Sequence, residues 1–459
     1  MMSQIVEKLE NIVGRDWIIT DIDQKLGYLY DEVEKTLRPK ADENSIVVKP
    51  ANTEEVSEII STANDNGINV VVRGGGTGLC GGAIPVKESI VISMERFNKV
   101  VEVDLNNMTV TLEAGVTLFD LIEELDKYDG IGFPVHPGDE GAQIGGMAVT
   151  NAGGARAVRH GIMRNHIKGL EVVLPNGNIL NLGGKLLKDN AGYNLMHLII
   201  GSEGTLAVIT KVILKIYPED KHVATIAAAF ETIDNASNAV LEILRSGVSP
   251  LAVEYQDKHI NLETAEHLGL NWPLETGNAD LMIIISEKEE DMLYSSTRKI
   301  NDICRKNGCT EAVFAGKKQE QADLLAIRSG GYEVIKDIIA DSFDMCVPPA
   351  SMPAFFEDLG RIMKEYNTTT NITAHIADGN VHNDTVLVDG KIPEYAEEIK
   401  LKMYEACFKY GGTITGEHGI GKIRVEDLKL QKKEEELEIM KGIKAVFDPN
   451  SILNDGTVV

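Results

Sequence analysis

The sequence predicts an α+β protein of two domains, one built around glycine-rich loops and one around an antiparallel sheet with helices packed on it. Three observations predict this. Up to about residue 217, short β-branched runs are separated by tracts dense in glycine. After Pro218 the pattern changes to two strand–helix–strand units, "HVATIAAAFETIDNASNAVLEILRSGVSPLAVEY" and "LMIIISEKEEDMLYSSTRKINDICRKNGCTEAVFA". The length of 459 residues, with 43% hydrophobic and 25% charged residues, suits a soluble chain of more than one domain.

Taken in order, residues 1–40 read as helical. Asn52 then opens a helix, with Glu55 placed as in a capping box. Val56, Ile59, Ile60 and Ala63 recur at helical spacing, and Asn66-Gly67 ends the run. "INVVVRG", "SIVISM", "KVVEVD" and "TVTLEAGVT" read as strands. Thr117 opens a helix through Leu125 that ends near Gly130. "LEVVLPNGNIL" predicts a hairpin at Asn176-Gly177. Residues 425–447 form a highly charged helix pattern, and "FDPNSILNDG" follows.

Composition excludes several classes. A net charge of −26 argues against nucleic-acid and anionic membrane partners, which reward Lys/Arg excess. The five cysteines, Cys80, Cys304, Cys309, Cys346 and Cys407, form no CxxC pair, which disfavours a zinc ribbon, an iron–sulfur cluster and a disulfide framework. The first sixteen residues lack the pattern of a signal peptide, and no apolar run approaches the ~18 residues of a membrane helix. A cytoplasmic location without a direct membrane span is the expectation.

The loop after the strand "VVVRG" carries six glycines in positions 74–82. Gly76, Gly78 and Gly81 match GxGxxG, but Pro85 and a further strand follow where a Rossmann site needs a helix. A Walker loop fails too, for want of GK[ST]. Uncovered backbone N–H groups in such a loop still suit phosphate oxygens, and Arg73 adds a charge. Two more tracts, "HPGDEGAQIGGMAVTNAGGAR" and "GSEGTLAVIT", suggest backbone in close approach to a large flat ligand.

The other conspicuous stretch is "TAHIADGNVHND", with two of the chain's ten histidines. A hairpin turning at Asp378-Gly379 puts Ala377 opposite Asn380, Ile376 opposite Val381 and His375 opposite His382. Imidazoles so placed can share a metal ion, although an isolated H-x6-H is also what two packing histidines give. In "TGEHGIGK", Glu417 and His418 sit between glycines and offer an oxygen ligand and a base.

Together "RGGGTGLCGG", "IGGMAVTNAGGAR", "GYNLMHLIIGSEGTLAVIT" and "TGEHGIGK" resemble the FAD-linked oxidase family of the vanillyl-alcohol oxidase type, within it the group of D-lactate dehydrogenase and the flavin-bearing chain of glycolate oxidase. The resemblance runs in order from about residue 40 to the C-terminus. It implies a two-subdomain FAD-binding domain at 41–218, after an N-terminal helical segment at 1–40. A cap domain carrying a metal site spans 219–424, and a helical segment at 425–459 returns to the FAD domain. It implies non-covalent FAD, with Arg73, Gly74, Gly75, Gly76, Thr77 and Gly78 at the pyrophosphate. Pro137, Gly138, Asp139, Gly141, Ala142, Gly145, Gly146, Asn151, Gly154, Gly204 and Ile209 would line the rest, and Asn454 would sit near the isoalloxazine. His136 stands where this group often has an Asp.

It further implies one divalent metal on His375, His382 and Glu417, with His418 as general base in oxidation of a 2-hydroxy acid. Two His and one Glu suit Zn, Fe(II) or Mn about equally. Arg328 is the candidate for gripping the substrate carboxylate, assisted by Tyr332. Relatives acting on 2-hydroxyglutarate carry a Lys where this chain has Ser342, and an Asn where it has Asp384, so a monocarboxylate such as D-lactate is expected. An electron-transferring flavoprotein is the expected acceptor. The alternatives are a D-2-hydroxyglutarate or glycolate dehydrogenase with a quinone or flavoprotein acceptor, a flavin-free zinc hydrolase, and a flavin-binding protein with a structural role.

Overall fold

The computed structural model describes residues 2–458, in two compact units. The first comprises Met1–Gly153, Ile162–Pro218 and Glu417–Val459; the second comprises Gly154–Gly161 and Glu219–Gly416. Among the described residues no helix is long and apolar enough to cross a membrane.

The first unit contains two main sheets. In the four-stranded sheet, Ile46–Val48, Ser89–Ser93 and Asn69–Arg73 run parallel in that order, and Ile18–Ile19 pairs antiparallel at one edge. The five-stranded sheet is antiparallel, in the order Val100–Asp104, Thr109–Glu113, Val208–Lys215, Ile167–Val173, Ile179–Gly183. The segment 1–40 is thus not wholly helical: a short strand separates the helices Met2–Val13 and Ile22–Leu29. Helix Thr53–Asn66 buries Val56, Ile59, Ile60 and Ala63. Asn52 caps it by accepting from Glu55 N at 2.9 Å, and Gly67 ends it in the left-handed conformation. Ile90, Ile92, Val70, Leu112, Leu170 and Val212 belong to one apolar cluster, so both sheets share a core. The C-terminal segment joins that core. Val70 N donates to Ile452 O at 2.7 Å and Asn454 N to Val70 O at 2.8 Å, which brings Asn454 beside the strand that feeds the first glycine loop.

The second unit carries a seven-stranded antiparallel sheet. Its order is Cys309–Ala315, His222–Phe230, Ala279–Glu287, Ala252–Asp257, Thr370–His375, Asn380–Val386, Ile339–Cys346. The two strand–helix–strand units read from the sequence supply the first four strands. They interleave, so that Ala279–Glu287 lies between His222–Phe230 and Ala252–Asp257, as in a ferredoxin-like βαββαβ arrangement. Helix Ile233–Arg245 buries Ala236, Ala239, Val240 and Ile243 at helical spacing and is capped by Thr232. The fourth strand then pairs with the histidine hairpin, joining Tyr255 to Ala374 and Gln256 to Thr373.

The divide between the units falls at Gly416/Glu417, whereas the sequence reading carries the cap domain on to 424. Local bonding explains the difference. Ile420 N and Gly421 N donate to the buried carboxylate of Glu203 at 2.8 and 2.7 Å, which ties residues 417–424 to the first unit.

Candidate active site

In the first unit the glycine tracts converge on one cavity. Gly74, Gly75, Gly76, Thr77 and Gly78 line it, as do Pro137, Asp139, Ala142, Gly145, Gly146, Gly204, Ile209 and Asn454. No helix begins in the loop after Arg73, so the failed Rossmann pattern has its structural counterpart. Close approach explains two of the glycines: a β-carbon on Gly75 would lie 2.6 Å from the carbonyl oxygen of Gly141, and one on Gly145 2.7 Å from the β-carbon of Ala114. Four expected cofactor residues of this unit, Arg73, Gly138, Gly141 and Asn151, are not on the cavity wall, and Gly154 belongs to the second unit. Arg73 turns elsewhere, Nη1 donating to Tyr30 O at 2.6 Å. Burial lowers its pKa, against the opposing charge of Asp31.

Glu417 and His418 line the same cavity, beside Gly153 and Asn454. Two residues unforeseen from sequence hold this region. Glu203, whose pKa is raised by burial, fixes the strap after His418 through the two N–H bonds above. Lys422 Nζ donates to Gly82 O at 3.1 Å, Asn454 Oδ1 at 2.7 Å and Thr457 Oγ1 at 2.9 Å, so one cation joins the first glycine loop to the C-terminal segment. Burial pushes its pKa down to about 8, despite Asp31, Glu203 and Asp455.

In the second unit the histidine hairpin forms, but in a different register from the one expected. His375 pairs with Asn380 and His382 with Thr373. Asp378-Gly379 is therefore part of a four-residue loop, not a two-residue turn. The tight turn that favours Asp-Gly needs positive φ at both residues, and only Gly379 has it, at 92°. His375 O instead accepts from both Asp378 N and Gly379 N. The histidines still meet. Residues 373, 375, 380 and 382 share one face, and the diagonal places the two rings 5.3 Å apart at 89°.

That face continues on both sides. Extending the Tyr255–Ala374 register, Glu254 stands beside His375, and both its carboxylate oxygens lie 2.9 Å from His375 Nδ1. Asp344 is the direct cross-strand partner of His382, with Oδ1 3.5 Å from Nδ1. Four adjacent strands thus present Glu254, His375, His382 and Asp344 in a row. Asp344 is held by Asn380 Nδ2 at 3.0 Å, Thr415 Oγ1 at 2.8 Å and Gly416 N at 2.9 Å. The chain therefore leaves this carboxylate at Gly416 and continues directly into Glu417-His418.

Arg328 lies in the last turn of helix Lys318–Ser329, and its Nη2 donates to Glu254 Oε2 at 2.6 Å. Burial drives the Glu254 pKa up, but the charges of His375 and Arg328 outweigh it and hold the group below the ordinary carboxylate range. Tyr332 sits on the short helix Gly331–Ile335, 38% exposed, and the Arg328–Glu254–His375 chain runs without it. Ser342 and Asp384 are cross-strand partners, and Asp384 lies on the His382 face of its strand. Burial pushes Asp384 up to about 7.

The residues fit both groups that the resemblance implies. Glycine-rich loops with no side chains over their backbone offer N–H groups to a dinucleotide. The Glu254 carboxylate at His375 Nδ1 leaves Nε2 of that ring for an ion, and Asp344 and His382 belong to a group of side chains whose ligand atoms lie within 4.8 Å of one another, close enough to hold one. Residues 45–183 match the FAD binding domain, and residues 219–458 match the FAD linked oxidases, C-terminal domain. The chain belongs to the FAD-linked oxidases and is an oxidoreductase similar to D-lactate dehydrogenases and glycolate oxidases.

Among its relatives, the D-lactate dehydrogenase of Archaeoglobus fulgidus is 39% identical over 434 residues, 94% of this chain and 95% of that protein. The D-lactate dehydrogenase of Anaerostipes hadrus is 30% identical, covering 99% and 97%. The glycolate oxidase subunit GlcD of Bacillus subtilis is 32% identical, covering 89% and 88%. In fold, the chain resembles p-cresol methylhydroxylase with a TM-score of 0.79 at 16% identity, over 100% of this chain and 96% of that one. The FAD domain match leaves a flavin-free hydrolase without support.

Proposed function

We propose that the protein is an FAD- and divalent-metal-dependent 2-hydroxy-acid dehydrogenase that converts D-lactate to pyruvate and passes electrons to an electron-transferring flavoprotein. The observation that carries this reading is the pair of carboxylate-backed histidines, His375 and His382, on a strand face whose chain leads into Glu417 and His418 on the wall of the glycine-lined cavity. FAD held along the glycine loops would supply the hydride acceptor, and a divalent ion held by His375, His382 and Glu417 would lower the pKa of the substrate hydroxyl. His418 Nε2 or Nδ1 takes the hydroxyl proton as general base. Arg328 holds the substrate carboxylate, with Tyr332 beside it. Ser342 supplies no second cation and Asp384 opposes a second carboxylate, which favours lactate over 2-hydroxyglutarate.

The similarity to glycolate oxidase subunit GlcD keeps glycolate as the second reading. The test is anaerobic addition of D-lactate, L-lactate, glycolate or D-2-hydroxyglutarate to the purified yellow protein. The proposal predicts bleaching near 450 nm by D-lactate, and transfer of those electrons to an added electron-transferring flavoprotein. Bleaching by glycolate alone favours the second reading; no bleaching by any of the four contradicts both.

A further inference from the structure

We infer that Glu254 is a positioning residue shared by the metal-binding and substrate-binding parts of the site: one buried carboxylate orients both the His375 imidazole and the Arg328 guanidinium. This rests on the reading of His375 as a metal ligand and Arg328 as the substrate grip.

Three observations support it. Glu254 is only 2% exposed, so its carboxylate has no bulk water to satisfy it. Both oxygens lie 2.9 Å from His375 Nδ1, and Oε2 also accepts from Arg328 Nη2 at 2.6 Å. The strand register puts Glu254 beside His375 on the same face, so the contact follows from the fold and not from a flexible side chain.

The consequences are specific. A carboxylate accepting from Nδ1–H selects the tautomer in which Nε2 carries the lone pair, and raises its basicity toward a cation. The same carboxylate fixes one edge of the Arg328 fork. Arg328 Nη1 is not used by the bond to Glu254, which engages Nη2 alone, so the fork keeps a donor beyond that bond. A change at Glu254 therefore perturbs ion affinity and substrate affinity together, although no atom of Glu254 touches the reacting bond.

The test uses the flavin-loaded protein stripped of metal and titrated anaerobically with Zn2+, Fe2+ and Mn2+ by calorimetry, with KM and kcat for D-lactate measured alongside. Glu254→Gln alone leaves Arg328 a buried cation without its counter-charge and can fail to fold. The comparison that matters is therefore Arg328→Met against Glu254→Gln/Arg328→Met, which removes the pair as nearly isosteric neutral groups. The inference predicts an ion affinity about 10- to 100-fold weaker in the double variant than in Arg328→Met, at equal flavin content. Where Glu254→Gln folds, it raises KM, and it adds no further rise in KM to Arg328→Met. Ion affinity in the double variant within twofold of Arg328→Met overturns the inference alone. Absence of Zn2+, Fe2+ and Mn2+ binding by the wild-type protein overturns the metal reading and this inference with it.

Discussion

His375 and His382 meet on a diagonal: their rings are 5.3 Å apart and nearly perpendicular, while His382 pairs across the hairpin with Thr373 and not with His375. The diagonal follows from a loop two residues longer than a tight Asp-Gly turn. It preserves the shared face, because a shift of two residues keeps every side chain on its side of the sheet. A shift of one would have sent one histidine to the opposite face.

His418 is on the cavity wall. The His418→Ala variant should bind flavin with an unchanged visible spectrum, while its rate of flavin reduction by D-lactate falls on the order of 10²- to 10⁴-fold. Rapid-mixing absorbance at 450 nm measures this. A full reduction rate in the variant would remove His418 from its role as base.

Gly75→Ala should cost flavin binding. The added β-carbon would sit 2.6 Å from Gly141 O, a backbone atom that can yield only if two cavity loops move apart. The expected result is a folded protein, by circular dichroism, with much less flavin per chain. Wild-type flavin content would show that the loops have room to spare.

Specificity should turn on the Ser342–Asp384 pair. The double variant Ser342→Lys/Asp384→Asn adds a cation and removes a carboxyl group. The kcat/KM ratio of D-2-hydroxyglutarate to D-lactate should rise tenfold or more, since one charged hydrogen bond contributes about 1.5–3 kcal/mol. A ratio unchanged within twofold would place substrate discrimination elsewhere.

Lys422 should leave a pH signature in stability. Its pKa is lowered to about 8 in the folded chain, so it stays protonated in the unfolded chain to higher pH than in the folded one. Between about pH 8 and 10.5 the unfolded state binds more protons, and this group's contribution to stability rises with pH, by at most about 3 kcal/mol. The stability of wild type relative to Lys422→Met, from urea unfolding, should therefore increase from pH 7.5 to 10. A flat difference would contradict the burial-driven shift.

Much of the architecture is legible in the sequence because its signals are local. The Asn52 cap, the spacing from Val56 to Ala63 and the Gly67 stop define a helix of 14 residues between its two caps. The glycine tracts mark the cavity wall, and at Gly75 and Gly145 close approach of a neighbouring segment excludes a side chain. What stays hidden depends on register between distant segments. Glu254 lies 121 residues from His375, and nothing around it in "LAVEYQD" marks it as that histidine's partner. Asp344 is likewise found only through its cross-strand pairing with His382. Arg328 is legible as a cation near the site, but its bond to Glu254 is not.

The most direct measurement is the rate of flavin reduction by D-lactate in protein that retains FAD but has been stripped of divalent ions. The account predicts a rate reduced at least about 100-fold, restored by one equivalent of Zn2+, Fe2+ or Mn2+ per chain, with the histidine pair required for the restoration. Undiminished reduction in the metal-free flavoprotein would contradict it.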